Sequence, residues 1–162
     1  MADQTGREAG NGSSERSELR RLALILAAAW AVPGLGHVLL GRVGRGLLFA
    51  GIIWSAFGLG LAHSGRLALK DSRQPILSSL QLVANLGVGP ADVAARVGVY
   101  GSPVYAFKGR PDARSEDRIE RIFRERARSG VSIYGTAYLW TAGLMNLLLL
   151  FDVWDIGLKR KS

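Results

Sequence analysis

Four polar side chains stand inside or directly beside long apolar runs of the sequence. His37 lies between a Pro-Gly pair and a basic turn, and Asn146 lies within the last apolar run. Asp152 and Asp155 follow that run, one helical turn apart. Ionisable groups are costly in lipid and are candidates for function there, so His37 could respond to protons or bind a ligand, with Asp152 or Asn146 as its partner.

The same residues also have a structural interpretation. His37 would bond carbonyl groups that a kink at Pro33 leaves free, and Asn146 would bond another helix. Asp152 and Asp155 would pair with nearby basic groups, since two carboxylates alone do not make a metal site.

The composition argues against several classes of function. The chain has no cysteine, no P-loop, no dinucleotide fingerprint and no Ser/His/Asp order that supports hydrolysis. We therefore expect no enzyme, no metal and no cofactor. The net charge of +8 raises the question of nucleic acid. Because the basic residues border apolar blocks and no nucleic-acid motif is present, nucleic acid is not an expected partner.

Three uncharged apolar runs predict the helices that position these groups. Residues 22–40 would form a helix of about 28 Å, close to the hydrocarbon thickness of a bilayer, with a kink near Pro33. Residues 46–62 follow after a short turn, so the two helices would form an antiparallel hairpin within residues 21–63. Residues 131–156 predict a C-terminal transmembrane helix, with aromatic residues near both ends.

Small and basic residues mark the contacts of this hairpin. Gly46 with Ala50 and Gly58 with Ala62 have the spacing that lets helix backbones approach closely. Arg42 and Arg45 in the turn could bind lipid phosphates or anchor the helix ends at the interface.

The first run has one alternative, a cleavable signal peptide, because two arginines precede it and Ala29-Trp30-Ala31 resembles a cleavage site. The long acidic segment before it fits that alternative poorly. Residues 1–20 are polar and predict a disordered tail.

Residues 76–99 are ambiguous. A Gly87-Val88-Gly89-Pro90 breaker, Asp92 and Arg96 interrupt the apolar pattern, and a charge at mid-bilayer costs roughly 3 kcal/mol. A re-entrant or interfacial helix pair therefore competes with a third transmembrane segment.

The segment 100–130 predicts a basic loop with an amphipathic helix at 115–129. That helix could lie on anionic headgroups or pack its apolar stripe on the protein. Residues 157–162 form a basic tail.

The distribution of basic residues favours three spans. With the N-terminus inside, three spans place sixteen Lys and Arg on one side and five on the other. Four spans place ten on each side when Arg96, which lies within the fourth segment, is set aside.

Residues 33–46 carry the pattern PGxGHxxLGRxxRG, with glycine or proline at Pro33, Gly34, Gly36, Gly41, Gly44 and Gly46. The pattern resembles the core of TM2-domain proteins, small membrane proteins with two helices joined by a tight turn. Its start, together with residues 134–152, is also similar to a bacterial family of uncharacterised membrane proteins, a domain-of-unknown-function group. The resemblance implies an architecture and brings no reaction with it.

The sequence thus predicts an all-α integral membrane protein of the bacterial inner membrane. It would consist of an antiparallel hairpin, a C-terminal helix, and a re-entrant, interfacial or fourth transmembrane segment between them. The first functional hypothesis is a structural or assembly component, which meets the bilayer, its anionic headgroups and either a second copy or another membrane protein. The alternative is a subunit of an oligomeric channel or transporter with an intramembrane polar site.

Overall fold

The computed structural model describes residues 3–71, 74–106 and 113–158. Within these ranges the secondary structure is helical apart from an isolated parallel bridge between Lys70 and Ala106. The helices are α1 Asp3–Ala31, α2 Leu35–Leu39, α3 Val43–Ala62, α4 Pro75–Leu86, α5 Pro90–Tyr100, α6 Ala113–Arg128 and α7 Ser132–Gly157. The predicted all-helical class is therefore confirmed for the described residues.

Two helices, α3 and α7, are long and apolar enough by length and composition to cross a membrane. They pack against each other in opposite directions, because Gly60 near the end of α3 lies against Gly135 and Leu139 near the start of α7. A Cβ atom at Gly60 would lie 2.7 Å from Leu139 Cγ. We name the two ends of the molecule after the two ends of α7, the Ser132 end and the Gly157 end.

The first predicted span, residues 22–40, is not a single helix, and that prediction was wrong. The helix α1 ends at Ala31, and a turn with Gly34 at φ +86° leads into α2. A Cβ at Gly36 would lie 2.7 Å from the Cβ of Ala29, although seven residues of continuous helix would separate them by about 10 Å. Pro33 offers no N–H to continue the helix and glycine tolerates the positive φ, so the chain reverses.

Because of this reversal, α1 and α2 form a hairpin, and both of its open ends lie at the Gly157 end of the molecule. Leu22, in α1, packs against Gly157 at the end of α7. Gly36, in α2, packs against Val153, and α3 then begins at the same end. We call residues 22–40 the first hairpin.

The helices α4 and α5 form a second hairpin, residues 75–100, which enters from the opposite end. Ser78 lines the same cavity as Thr136, close to the Ser132 end. Farther along α4, a Cβ at Gly87 would overlap the backbone of Gly143. The chain turns at Gly89, which has φ +70°, and α5 returns. Of the two alternatives for residues 76–99, a helix pair and a single transmembrane segment, the structure shows a helix pair.

The Ser132 end is closed by α6 and by an extended segment, residues 65–71, which we call the strap. Leu67, Ala68 and Leu69 of the strap are buried in the core. The predicted helix 115–129 corresponds to α6, whose Ile119 is also buried. Arg126 Nη1 donates a 2.9 Å hydrogen bond to the carbonyl of Gly65. The apolar stripe of α6 therefore packs on the protein, as in the second alternative for this helix.

The N-terminal segment differs from its prediction, because α1 begins at Asp3 where the sequence predicts a disordered tail over residues 1–20. Elongating an existing helix costs far less than nucleating one, so a polar segment can continue a helix that later residues form. Residues 1–2 and residues 159–162 of the predicted basic tail lie outside the described residues.

Candidate functional site

The tips of the two hairpins meet beside the middle of α7, at Asn146. Asn146 Nδ2 donates a 2.8 Å hydrogen bond to the carbonyl of Gly87 and a 3.5 Å one to that of Trp30. Trp30 Nε1 in turn donates to the carbonyl of Leu86 at 3.0 Å. We call Trp30, Leu86, Gly87, Gly89 and Asn146 the hairpin junction. It supplies partners to backbone carbonyls that helix breaks leave free, which apolar surroundings require.

Glycine is needed on both sides of this junction. A Cβ at Gly89 would overlap the carbonyl oxygen of Trp30, and a Cβ at Gly143 would overlap that of Ala84. The backbones of α4 and α7, and the two hairpin tips, are therefore in direct contact.

Several polar atoms at and near the junction are buried without a partner among the described residues. They are Oδ1 of Asn146 and both amide atoms of Asn85. Asn85 shares a face of α4 with Gln81 and Ser78, which lie four and seven residues earlier along the helix. These three side chains form a polar line from the Ser132 end towards the junction.

A cavity of about 280 Å³ lies at the Ser132 end of this line. Its lining residues are Arg66, Ala68, Leu69, Asp71, Gln74, Ser78, Gln81, Phe123, Thr136 and Trp140. The Thr136 hydroxyl accepts a hydrogen bond from the backbone N–H of Arg66 and donates one to the carbonyl of Ser132. Ser78 Oγ donates to the carbonyl of Gln74 at 2.8 Å. Both hydroxyls are thus occupied, and the other polar groups of the lining are Arg66, the two glutamine amides, the Asp71 carboxylate and the Trp140 indole N–H, which is buried without a partner among the described residues.

His37 forms a separate pair at the Gly157 end. Its Nε2 lies 2.9 Å from Asp152 Oδ2, its side chain is buried, and that of Asp152 is 33% exposed. Its Nδ1 is buried without a partner among the described residues, and its ring lies 5.6 Å from that of Phe49. Of the two partners expected for His37, the structure provides Asp152 and not Asn146. His37 was expected to hydrogen-bond a backbone carbonyl near the Pro33 kink, but it is Asn146 that bonds such a carbonyl, that of Trp30.

The other predicted residues lie outside the junction. Arg42 is half-buried in the turn before α3, where its backbone N–H donates to the carbonyl of His37 at 2.8 Å, and Arg45 is exposed. Asp155 is half-buried near the end of α7. Among the motif residues, Pro33, Gly34, Gly36 and Gly46 are buried, whereas Gly41 and Gly44 face open space.

Two pairs of small residues on α3 were expected to make close helix contacts, and the structure shows such contacts for the pair Gly46 and Ala50. Gly46 packs against Val38, and Ala50 lies against Gly34, so this part of α3 receives the first hairpin. A Cβ at Gly58 would meet no atom within 4 Å in the described structure.

A buried ion pair holds the base of the second hairpin. Arg96 Nε donates a 2.7 Å hydrogen bond to Asp92 Oδ2, and both side chains are fully buried. Arg96 Nη1 also donates to the carbonyls of Ala68 and Val104, at 2.9 and 2.8 Å. The guanidinium carbon lies 4.4 Å from the centre of the Tyr105 ring. In the sequence analysis, Asp92 and Arg96 counted only as evidence against a transmembrane span at residues 76–99. Their i, i+4 spacing could have predicted an ion pair on one face of a helix.

Tyr100 adds a second link at this base. Its hydroxyl donates to the carbonyl of Leu67 at 3.3 Å. Burial is the largest influence on the group and raises the pKa of Tyr100, so the phenol remains a protonated donor at neutral pH.

Comparison with known proteins gives one family. A family of unknown function, DUF6677, matches residues 24–162. Since the match covers most of the chain, the chain belongs to this family. No curated protein and no solved structure matches it.

Proposed function

We propose that this family member is an integral membrane protein of the bacterial cytoplasmic membrane, with α3 and α7 crossing the bilayer. The hairpins would then be re-entrant and would enter from opposite faces. Large apolar side chains on the outer surface support this placement, among them Leu47, Leu48, Leu148 and Phe151, each more than 60% exposed. A patch of this kind suits lipid rather than water.

Within that placement we propose that the protein is a subunit of an oligomeric channel or transporter. The observation that carries this proposal is the meeting of two broken helical hairpins at Asn146, near the middle of a spanning helix. Discontinuous helices that meet near the bilayer midplane are typical of solute sites in transporters, where unwound backbone groups bind the solute. The polar line through Asn85 supports a route to the junction from the Ser132 end.

The chemistry of the junction favours a small uncharged polar solute. Its groups are amides, an indole N–H and backbone carbonyls, and none of them carries a formal charge. The junction carbonyls already accept hydrogen bonds from Asn146 and Trp30, whereas the unpartnered amide groups of Asn85 and Oδ1 of Asn146 can exchange hydrogen bonds with a hydroxyl or amide solute.

A structural role in membrane assembly is the second candidate. The glycine contacts that close the junction favour it, because backbone packing at Gly89 and Gly143 is also what a purely structural core needs. The absence of enzymatic activity, expected from the sequence, stays a prediction.

Flux through proteoliposomes separates the two candidates. Vesicles that contain the protein are exposed to a glycerol gradient, and their swelling is followed by stopped-flow light scattering. A permeation role predicts faster swelling than in empty vesicles and a reduced rate for Asn146→Leu with an unchanged oligomer. Swelling equal to that of empty vesicles, with loss of the oligomer in Asn146→Leu, would instead support the structural role. Gly58→Ala, on an open surface, is the matched control.

A further inference from the structure

We propose that the cavity at the Ser132 end binds an anionic group, a phosphate or a carboxylate, through Arg66. This site is distinct from the hairpin junction and does not depend on permeation.

Arg66 is presented to the cavity in a fixed position. Its backbone N–H donates a 3.0 Å hydrogen bond to Thr136 Oγ1, which attaches the strap to α7. Its guanidinium carbon lies 5.6 Å from the centre of the Phe123 ring of α6. The side chain is half-buried, and within the described ranges no oxygen accepts a hydrogen bond from the guanidinium. A guanidinium stacked on an aromatic ring keeps its in-plane donors available, which suits the two oxygens of a carboxylate or phosphate.

The remaining lining is consistent with an anion that carries a polar substituent. Gln74 and Gln81 can each donate through an amide, while the hydroxyls of Ser78 and Thr136 are already occupied. Asp71 is the one carboxylate in the lining, and it is exposed at the mouth of the cavity.

The place of the cavity connects it to the membrane surface. It lies at the level where α3 ends and α7 begins, which is the headgroup region when these helices span the bilayer. Helix α6, which carries more basic than acidic residues, contributes Phe123 to the cavity lining. Both a lipid headgroup and a dissolved phosphate compound can therefore reach Arg66.

The test is a binding titration of the full chain in neutral detergent, followed by tryptophan fluorescence, since Trp140 lines the cavity. The probes are short-chain phosphatidylglycerol, inorganic phosphate and short-chain phosphatidylcholine. We expect phosphatidylglycerol to bind more tightly than phosphatidylcholine, and Arg66→Gln to weaken its binding about tenfold, as expected when charged hydrogen bonds are lost. Arg121→Gln, an exposed arginine of α6 outside this cavity, should bind within about twofold of the parent.

The outcomes decide both the site and the source of the anion. Competition by inorganic phosphate at similar concentration supports a dissolved phosphate ligand, and its failure to compete supports a lipid headgroup. Equal binding by the Arg66→Gln and Arg121→Gln variants overturns the proposal, as does equal binding of the two lipids to the parent chain. If Arg66→Gln fails to fold, Arg66→Lys replaces it. Lysine keeps the charge without the planar pair of donors, so intermediate affinity supports the site and unchanged affinity contradicts it.

Discussion

The two hairpins reach the same junction but are held in different ways. A buried ion pair holds the base of the second hairpin, because Arg96 pairs with Asp92 of the same helix and also donates to the carbonyls of Ala68 in the strap and of Val104 after α5. Among the described residues, the first hairpin contains no such buried ion pair of its own. It is held by its neighbours: glycine contacts to α3 and a His37–Asp152 pair to α7.

The difference shows where each hairpin can move. The buried Arg96 guanidinium donates three hydrogen bonds through Nε and Nη1, although its Nη2 has no partner among the described residues, and these bonds are expected to make the base of the second hairpin rigid. The partly exposed His37–Asp152 pair holds the first hairpin more weakly, since water competes for Asp152. If the junction opens during function, the first hairpin is the part expected to shift.

The largest effect is expected from Arg96→Met. The substitution leaves the Asp92 carboxylate buried without a partner, at a cost of about 3–5 kcal/mol in the free energy of unfolding. Denaturant titration in detergent measures it. The double variant Asp92→Leu, Arg96→Met should recover most of the loss, because an apolar pair replaces the ion pair. A loss below about 1 kcal/mol in the single variant would show that the Asp92–Arg96 ion pair does not make the base of the second hairpin rigid.

Gly143→Ala is expected to cost about 1–3 kcal/mol, because the added methyl group overlaps the carbonyl of Ala84. Gly58→Ala is the matched control on α3. Its methyl group meets open space, and alanine favours helix over glycine by about 1 kcal/mol, so this variant should be neutral or stabilised. Equal stability of the two variants would contradict the close contact between α4 and α7.

Asn146→Leu is expected to destabilise the protein by about 1–2 kcal/mol, since the carbonyl of Gly87 loses its donor in an apolar setting. Both hairpins share this residue, so hydrogen exchange should increase at both tips. An increase confined to residues of one hairpin would show that the two tips are not coupled through Asn146.

Asp152→Asn should have the smallest effect, about 0–1 kcal/mol, because the Asp152 carboxylate is partly exposed. Thermal unfolding of the variant beside the parent measures it. Any increase in hydrogen exchange should appear in the first hairpin and not the second. A loss as large as that of Arg96→Met would remove the contrast between the hairpins.

Much of this architecture could be predicted from the sequence, because long uncharged runs indicate apolar helices and Gly-Pro clusters indicate turns. Uncharged length located α3 and α7, and the Gly-Val-Gly-Pro breaker located the turn between α4 and α5. Hydropathy does not show, however, whether an apolar run continues as one helix or reverses its direction. Residues 22–40 have the length and composition of a span, and the reversal depends on Pro33 and on the positive φ at Gly34.

The contacts of the candidate site were less predictable. Asn146 was identified as a helix-bonding residue, but its acceptors lie on Trp30 and Gly87, far away in sequence. Only the packing of the hairpins brings these three residues together. Likewise, the i, i+4 spacing of Asp92 and Arg96 fits a pair, but the carbonyls of Ala68 and Val104 that Arg96 also bonds are brought to it by the tertiary fold.

The most direct test of the account is the side of the membrane on which single cysteines react. The chain has no cysteine of its own, so Glu18→Cys, Gly44→Cys and Gly130→Cys can each be labelled with a membrane-impermeant maleimide in oriented vesicles. Two spans with opposed re-entrant hairpins predict that positions 18 and 44 react from the same side and position 130 from the other. Reaction of positions 18 and 130 from one side, with position 44 opposite, would mean that residues 22–40 cross the membrane and would contradict the account.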